Sequence, residues 1–459
     1  MNEENTLRTR LNELPQEVLA DFICSLYGED ERLDRRIERL LISEDSNALT
    51  RSLRQQISTL KHQKNFVDYY EAESLADEIQ ELLAEIEHHI MPSAPEQAFK
   101  LLDALLATSV NSLERSDDSN GAIGGVYQDA CILWLQAARL SPAPPEGWQD
   151  RVKNLVNEND YGIYDVLLPN AHQLLPEEEL RHLALFYETG VRNALNQNPN
   201  GTGYFSELAN LQGIAEALKD PALYERSMLL VSPEPNSLQI GNLARFYLRC
   251  EDYQGALKWL TEPWPATGWQ NNNAERLSLL AECYRALDLP HQQKEALKAR
   301  LDISPTFENL QALLPLAEKD EAEDLRQRTI EQAMLKSSVS AKLELLFQLG
   351  EFDRSRQVLF AESGELAKCH YLTLTHLLGL VPAGAVLIRI ILQRCLLDDI
   401  LNRGKSQAYH YAADYLKELR KLDQQKPEYG PMINHTVYEQ QLRAQHGRKR
   451  SFWPLVDTK

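Results

Sequence analysis

Val386-Leu-Ile-Arg-Ile-Ile-Leu-Gln-Arg-Cys-Leu-Leu397 is apolar on nearly every face of a helix, so it has to be buried on several sides. It carries Arg389 and Arg394 and falls short of the roughly 20 apolar residues that a bilayer span requires. The stretch therefore reads as the buried helix of a helical protein. A second helix follows, with Ala408, Ala412, Tyr415, Leu419 and Leu422 at alternating four- and three-residue spacing, which gives one packing stripe. The chain then runs through Leu442-Arg-Ala-Gln-His-Gly-Arg-Lys-Arg-Ser-Phe-Trp453, a short basic and aromatic tail.

Upstream the same helical period recurs. Val18, Leu19, Phe22, Ile23 and Leu26 form one stripe between Pro15 and Tyr27, and Leu75, Ile79, Leu82, Leu83 and Ile86 form another that stops at Met91-Pro. Segments 31–41 and 48–62 are more charged, as outer helices are, while 97–112 and 126–140 read as further helices. From about Glu177 to Leu378 the pattern repeats. Leu243-Ala244, Tyr247, Tyr253 and Ala256 match the spacing of a tetratricopeptide helix pair, and the frame begins again 37 residues later with Leu280-Ala281 and Tyr284, reaching Pro305. A third copy runs through Leu346, Gly350, Phe352 and Leu359. The copies are degenerate: Glu251 and Asp288 replace the turn glycine, Gln293 and Ser355 replace the second-helix alanine, and Leu343 fills a small-residue place. No stretch alternates with period two, so the fold class is all-α: an α-solenoid of antiparallel helix pairs, degenerate and tetratricopeptide-like. At 459 residues the chain exceeds one ordinary core. Three sections are expected: 1–170 as an N-terminal helical region, 171–379 as the helix-pair repeats, and 380–459 as a C-terminal cap with its basic and aromatic tail.

Phe66-Val-Asp-Tyr, Asp117-Asp118 with Gly121, Asp160-Tyr-Gly, Leu396-Leu-Asp-Asp-Ile-Leu with Arg403-Gly404-Lys405, and the ending His446-Gly-Arg-Lys-Arg-Ser-Phe-Trp453 carry a resemblance along the whole chain. It resembles a bacterial family of uncharacterised all-helical proteins, a domain of unknown function that shares a C-terminal region with some SWIM zinc-finger proteins. The finger itself, a Cys-x-Cys followed by Cys-x-His, is missing here, so the resemblance implies neither zinc nor DNA. It implies one continuous helical architecture in a bacterial cytoplasm.

Charge narrows the partners. The formal net charge is −20, but from Leu380 onward 13 Lys and Arg face 8 Asp and Glu, so the preceding 379 residues carry −25. Such an acidic body repels phosphate backbones and anionic membranes, which disfavours nucleic acid except at the basic C-terminal end and argues against a membrane. Cys24, Cys131, Cys250, Cys283, Cys369 and Cys395 are scattered with no Cys-x-x-Cys pair, as reduced thiols of a cytoplasmic protein are. The Met-Asn-Glu-Glu-Asn start has no apolar signal-peptide core.

Candidate chemistry is sparse. Ser116 to Gly121 looks like a calcium loop, but Tyr127 stands where the bidentate glutamate is required, so it reads as an acidic turn leading into a helix. Glu85 with His88 and Glu179 with His182 have the Glu-x-x-His spacing of di-iron bundles, yet roughly one such pair is expected by chance at this composition. Cys369-His370 with His376 lacks the neighbours that would orient an imidazole or complete a metal site. No Walker loop, nucleophile elbow or dinucleotide fingerprint is present. No catalytic, cofactor-binding or metal residue and no cofactor is therefore assigned. The candidate partner-binding residues are Arg443, His446, Arg448, Lys449, Arg450, Phe452 and Trp453, cations beside aromatic anchors. The competing reading folds Phe452 and Trp453 back as a cap on the last helices, with Gly447 ending its helix in a left-handed turn. The expected role is a non-catalytic cytoplasmic scaffold that holds a protein or peptide partner on a helical-repeat surface. The alternative is a nucleic-acid-associated factor.

Overall fold

The computed structural model describes residues 9–42, 45–198, 201–262, 264, 273–335, 338–425 and 427–457. The Met1–Asn5 start lies outside the described residues. Helix follows helix, and the β geometry among the described residues is one parallel bridge between Val67 and Ser116. No helix among them is long and apolar enough to cross a membrane. The chain forms two compact units, Met1–Asp252 and Tyr253–Lys459.

The first unit contains α1 (Gln16–Leu26), α2 (Glu31–Leu41), α3 (Ser46–His62), α4 (Tyr69–Glu85), α5 (Pro95–Leu106), α6 (Ser109–Glu114), α7 (Ala122–Arg139), α8 (Trp148–Asn157), α9 (Leu167–Asn170), α10 (Glu177–Gln197), α11 (Phe205–Leu218), α12 (Pro221–Val231) and α13 (Ser237–Arg249). Their starts follow from short acids and amides. Asp30, Asp45 and Asp68 each accept two backbone N–H groups of the following first turn, and Asn236 with Gln239 closes a capping box. The α4 stripe is buried as its spacing requires, and the helix loosens into a π-turn over Ile86–Ile90 before Met91-Pro92. Helix α2 meets α4 through charge: Arg32 lies 2.6 Å from Glu81, and buried Arg39 reaches Glu81, Glu85 and Gln56.

Helix α1 forms where its stripe predicts, with Val18 and Phe22 exposed, Leu19, Ile23 and Leu26 half-buried and no residue fully buried. The expected helix over 97–112 is two helices. It breaks at Ala107–Thr108, where the Thr108 hydroxyl contacts the Leu105 carbonyl at 2.6 Å and the buried Tyr127 hydroxyl at 2.7 Å. Leu167, Leu168 and Ala171 share one core with Leu211, Ile214 and Ala215, and a Cβ on Gly213 would stand 3.0 Å from Pro169 Cδ.

The second unit contains α14 (Tyr253–Thr261), α15 (Asn273–Ala286), α16 (Pro290–Ile303), α17 (Phe307–Leu313), α18 (Lys319–Leu335), α19 (Val339–Gln348), α20 (Phe352–Ala361), α21 (Ser363–Leu366), α22 (Tyr371–Leu380), α23 (Val386–Asn402), α24 (Tyr409–Asp423), α25 (His435–His446) and α26 (Trp453–Asp457). Helix α23 is buried on all sides, packed against α20, α22 and α24.

Adjacent helices pack in pairs, α11 on α12, α15 on α16 and α19 on α20. The same turn follows α11, α13, α15 and α19. Lys219, Glu251, Asp288 and Gly350 all have positive φ, at 50°, 61°, 55° and 75°. The residue after each donates its N–H five residues back: Asp220 to Ala215 at 2.9 Å, Asp252 to Tyr247 at 3.0 Å, Leu289 to Tyr284 at 2.9 Å and Glu351 to Leu346 at 2.8 Å. This is a Schellman closure, and the next helix starts within three residues. Glu251 and Asp288 thus adopt the glycine conformation without being glycine.

Candidate functional site

The most distinctive cavity of the first unit lies between α10 and α11. Helix α10 puts Leu180, Leu183, Ala184, Tyr187 and Val191 into the core. Its next residues around the turn, Leu185 and Phe186, face outward with 66% and 51% of their surface exposed. Helix α11 buries Leu211, Ile214 and Ala215. The approach of the two helices depends on Gly190, because a Cβ there would lie 2.9 Å from Glu207 Cγ. Glu207 can therefore lie flat against α10.

The resulting space, about 590 Å³, is lined by His182, Phe186, Tyr187, Asn193, Glu207 and Asn210 among others, and no Lys or Arg contributes to its wall. Lys153 sits at the rim, with its ammonium 4.5 Å from the Phe186 ring centre. Tyr187 is 2% exposed. Its hydroxyl and Glu207 Oε2 are both shut off from solvent, and neither has a hydrogen-bond partner among the described residues. Burial, and then the nearby Glu207 carboxylate, push the Tyr187 phenol up to about 12, so it keeps its proton. A buried acceptor without a donor costs on the order of 1–3 kcal/mol. A ligand that donates to Glu207 and bonds the phenol would remove that cost. Neighbouring Glu188 has no such need, since Arg192 and Arg226 hold it at 2.7 and 3.1 Å.

Sequence reasoning reached His182 of this cavity by another route and missed Tyr187, Gly190 and Glu207. The available signal was a glycine inside a 21-residue helix, a position where glycine weakens the helix unless something needs the room. Glu179 stands in the first turn of α10, where an acid complements the helix dipole, and it does not line the cavity.

The other singled-out pairs diverge. Glu85 engages Arg39 and His89, while His88 Nδ1 sits 2.7 Å from the Ala84 carbonyl. Asp118 accepts the N–H groups of Ile123 and Gly124, both at 2.9 Å, and so caps α7. His376 pairs with Glu344 at 3.0 Å, whereas His370 accepts the Leu372 N–H at the start of α22. The Cys369 thiol is pushed up by burial and by Glu365, which works against a nucleophilic thiolate. No group of three or more His, Cys, Asp or Glu side chains converges among the described residues.

The seven tail residues split into an inner and an outer set. Phe452, Trp453 and His446 are buried in the core that includes Tyr409, Leu416 and Leu442. The Trp453 indole donates to the His446 carbonyl at 3.0 Å, and Phe452 meets Tyr409 edge-on at 5.8 Å. Arg443 lies over Trp453 at 4.2 Å and bonds Glu439 and Asp457, while Lys449 donates to the Tyr409 hydroxyl at 3.1 Å. Arg448 and Arg450 remain exposed. Gly447 does end α25, but in a right-handed conformation, at φ −57°, rather than the left-handed one expected. Glycine is needed there for room, since a Cβ would lie 2.6 Å from the Arg443 carbonyl oxygen. A second cavity, about 460 Å³ between α22, α23 and α24, has Tyr371, Tyr411 and Tyr415 on its wall. Its charges already satisfy one another, with Asp399 2.6 Å from Arg403 and 3.7 Å from Lys405.

A model described as a family of unknown function (DUF6880) matches residues 2–227 and 232–455. The chain belongs to that family. No curated protein matches it. Among solved structures it is similar to a circular tandem repeat protein with novel repeat topology and enhanced subunit contact surfaces. That match has 12% identity over 95% of this chain and 92% of the other, at a TM-score of 0.18. In this DUF6880 chain the stretches that carry the family resemblance make turns and caps. Asp68 caps α4, Asp117 donates its N–H to the Val67 carbonyl at 2.9 Å, Gly162 turns with φ 72°, and Asp398 accepts the Tyr438 hydroxyl at 2.6 Å.

Proposed function

We propose that this DUF6880 protein is a non-catalytic interaction protein of the bacterial cytoplasm that seats a segment of a polypeptide partner against α10 and α11. The observation that carries this reading is the cavity beside Leu185, Phe186 and Phe205, three exposed apolar side chains next to a floor of buried hydrogen-bonding groups. Apolar rim and polar floor together suit a peptide, whose side chains need the one and whose polar groups need the other. Its six cysteines are unpaired, in keeping with a reducing compartment. The nucleic-acid alternative has less support, because Arg403, Lys405, Arg420 and Arg443 are already engaged by Asp399, Glu439 and Asp457.

The test is fluorescence polarisation of the full chain with a panel of labelled ten-residue peptides spanning apolar, acidic and basic compositions. Wild type is expected to bind at least one peptide class saturably, and Phe186→Asp to weaken that binding at least about tenfold. Absence of binding across the panel, or equal binding by Phe186→Asp, rejects the reading.

A further inference from the structure

We infer that the α10–α11 cavity is a receptor for a side-chain cation, the ammonium of a lysine in the partner polypeptide. This deepens the reading just given and rests on it for the source of the lysine. Glu207 brings a carboxylate whose Oε2 is buried and lacks a donor among the described residues, and Tyr187, nine-tenths buried or more, brings a hydroxyl in the same condition. Both line one half-open space with no Lys or Arg among its described lining residues. An acceptor buried next to a neutral phenol calls for a donor. A donor that is also positive gains the attraction of a carboxylate away from bulk water.

The walls set the shape of that donor. Phe186 and Tyr187 offer ring surface along which an aliphatic stem can lie, and Asn193 and Asn210 supply amide groups beside the head. The Phe186 ring already accepts one ammonium, that of Lys153, so a cation is at home against this ring. The glycine at 190 fits the same purpose. Any larger residue would press on Glu207 Cγ and turn the carboxylate away. At larger scale, residues 1–252, the unit holding the cavity, carry a net −21, which draws basic segments toward it.

The experiment titrates the full-length protein by calorimetry with four capped pentapeptides that differ only at the central residue: lysine, arginine, Nε-acetyl-lysine and glutamate. A fifth ligand is n-butylammonium. The lysine peptide is expected to bind at least about tenfold more tightly than the acetyl-lysine peptide, the scale of one charge-assisted hydrogen bond, and the glutamate peptide not at all. Glu207→Gln is expected to erase the preference for lysine, and Tyr187→Phe to weaken lysine binding while circular dichroism stays unchanged. The acetyl-lysine comparison needs no variant, so a folding defect cannot mimic its outcome. If lysine and acetyl-lysine peptides bind equally well, the cation inference is wrong and the polypeptide reading survives. If n-butylammonium binds and no peptide does, the cation site stands and the polypeptide reading falls. If nothing binds, both fall.

Discussion

At the scale of single residues, the tail shows how one pair of aromatics can mean two things. Phe452 and Trp453 beside three cations suit a docking surface as well as a cap, and composition alone cannot choose between them. In the structure the indole N–H donates to the His446 carbonyl, and Phe452 is fully buried against Tyr409. Phe452→Ala should therefore remove core packing and cost about 3–5 kcal/mol, whereas Arg448→Ala and Arg450→Ala should stay within about 0.5 kcal/mol of wild type. Urea unfolding of the three variants measures this directly, and a Phe452→Ala protein as stable as Arg450→Ala would contradict the buried tail. The α10–α11 cavity was barely legible by the same means. Tyr187 falls on the core stripe of α10 and Glu207 in an ordinary acidic first turn. Only three-dimensional packing shows that the hydroxyl of one and the carboxylate oxygen of the other lack partners.

At the scale of elements, most helices were legible because their stripes are strong and their ends are marked. Asp68 and the stripe from Leu75 to Ile86 fix α4, and the all-apolar run from Val386 fixes α23. What failed was finer. A threonine–tyrosine hydrogen bond that joins residues 19 apart splits the expected helix after Leu106, and no local pattern encodes it. Helix α1 forms where its stripe predicts, yet hydrophobic spacing states only that a face is available, not that another element covers it. The turns within helix pairs were read from two residues that break the glycine rule, and the backbone now gives that break an energy. Left-handed backbone costs a non-glycine residue roughly 1–2 kcal/mol, part of which is offset because glycine loses more entropy on folding. Lys219→Gly, Glu251→Gly and Asp288→Gly, all exposed, should each stabilise the fold by up to about 1 kcal/mol. Gly350→Ala should destabilise it by a similar amount. Thermal midpoints of the four variants, measured under one set of conditions, test whether the turns share one geometry. A fall for the first three would mean that their side chains do more than occupy the turn.

At the scale of the whole molecule, charge rather than shape governs the response to solution conditions, and acid is the clearest probe. Burial lowers the His435 and His446 imidazoles below their usual range, so the unfolded chain takes up protons before the folded one does. For a base depressed in this way, stability is lost as pH falls from about 6.5 toward the folded value. A second window lies lower. Arg420 and Arg443 hold Glu439 down, Arg443 does the same for Asp457, and Lys294 and Lys298 hold Glu321 down to about 2. For a depressed acid, stability is fully present above the unfolded value near 4 and is lost as pH falls through the folded value. Asp398 runs the other way, since burial raises it and protonation then favours the folded form, but it stands against three carboxylates in the same unit. The thermal midpoint of the second unit should therefore be level above pH 7, decline gently below about 6.5 and fall steeply below about 4. Arg420→Ala isolates the lower window, because it removes the first-named partner of Glu439. Its deficit relative to wild type should be present at pH 7 and shrink as pH falls below the ordinary carboxylate range, where the carboxylates that arginine served begin to take up protons. Calorimetric midpoints at pH 7, 5, 4 and 3 for the two proteins decide it, and a deficit that stays constant across that range would show that Arg420 acts through packing of its stem instead of through charge.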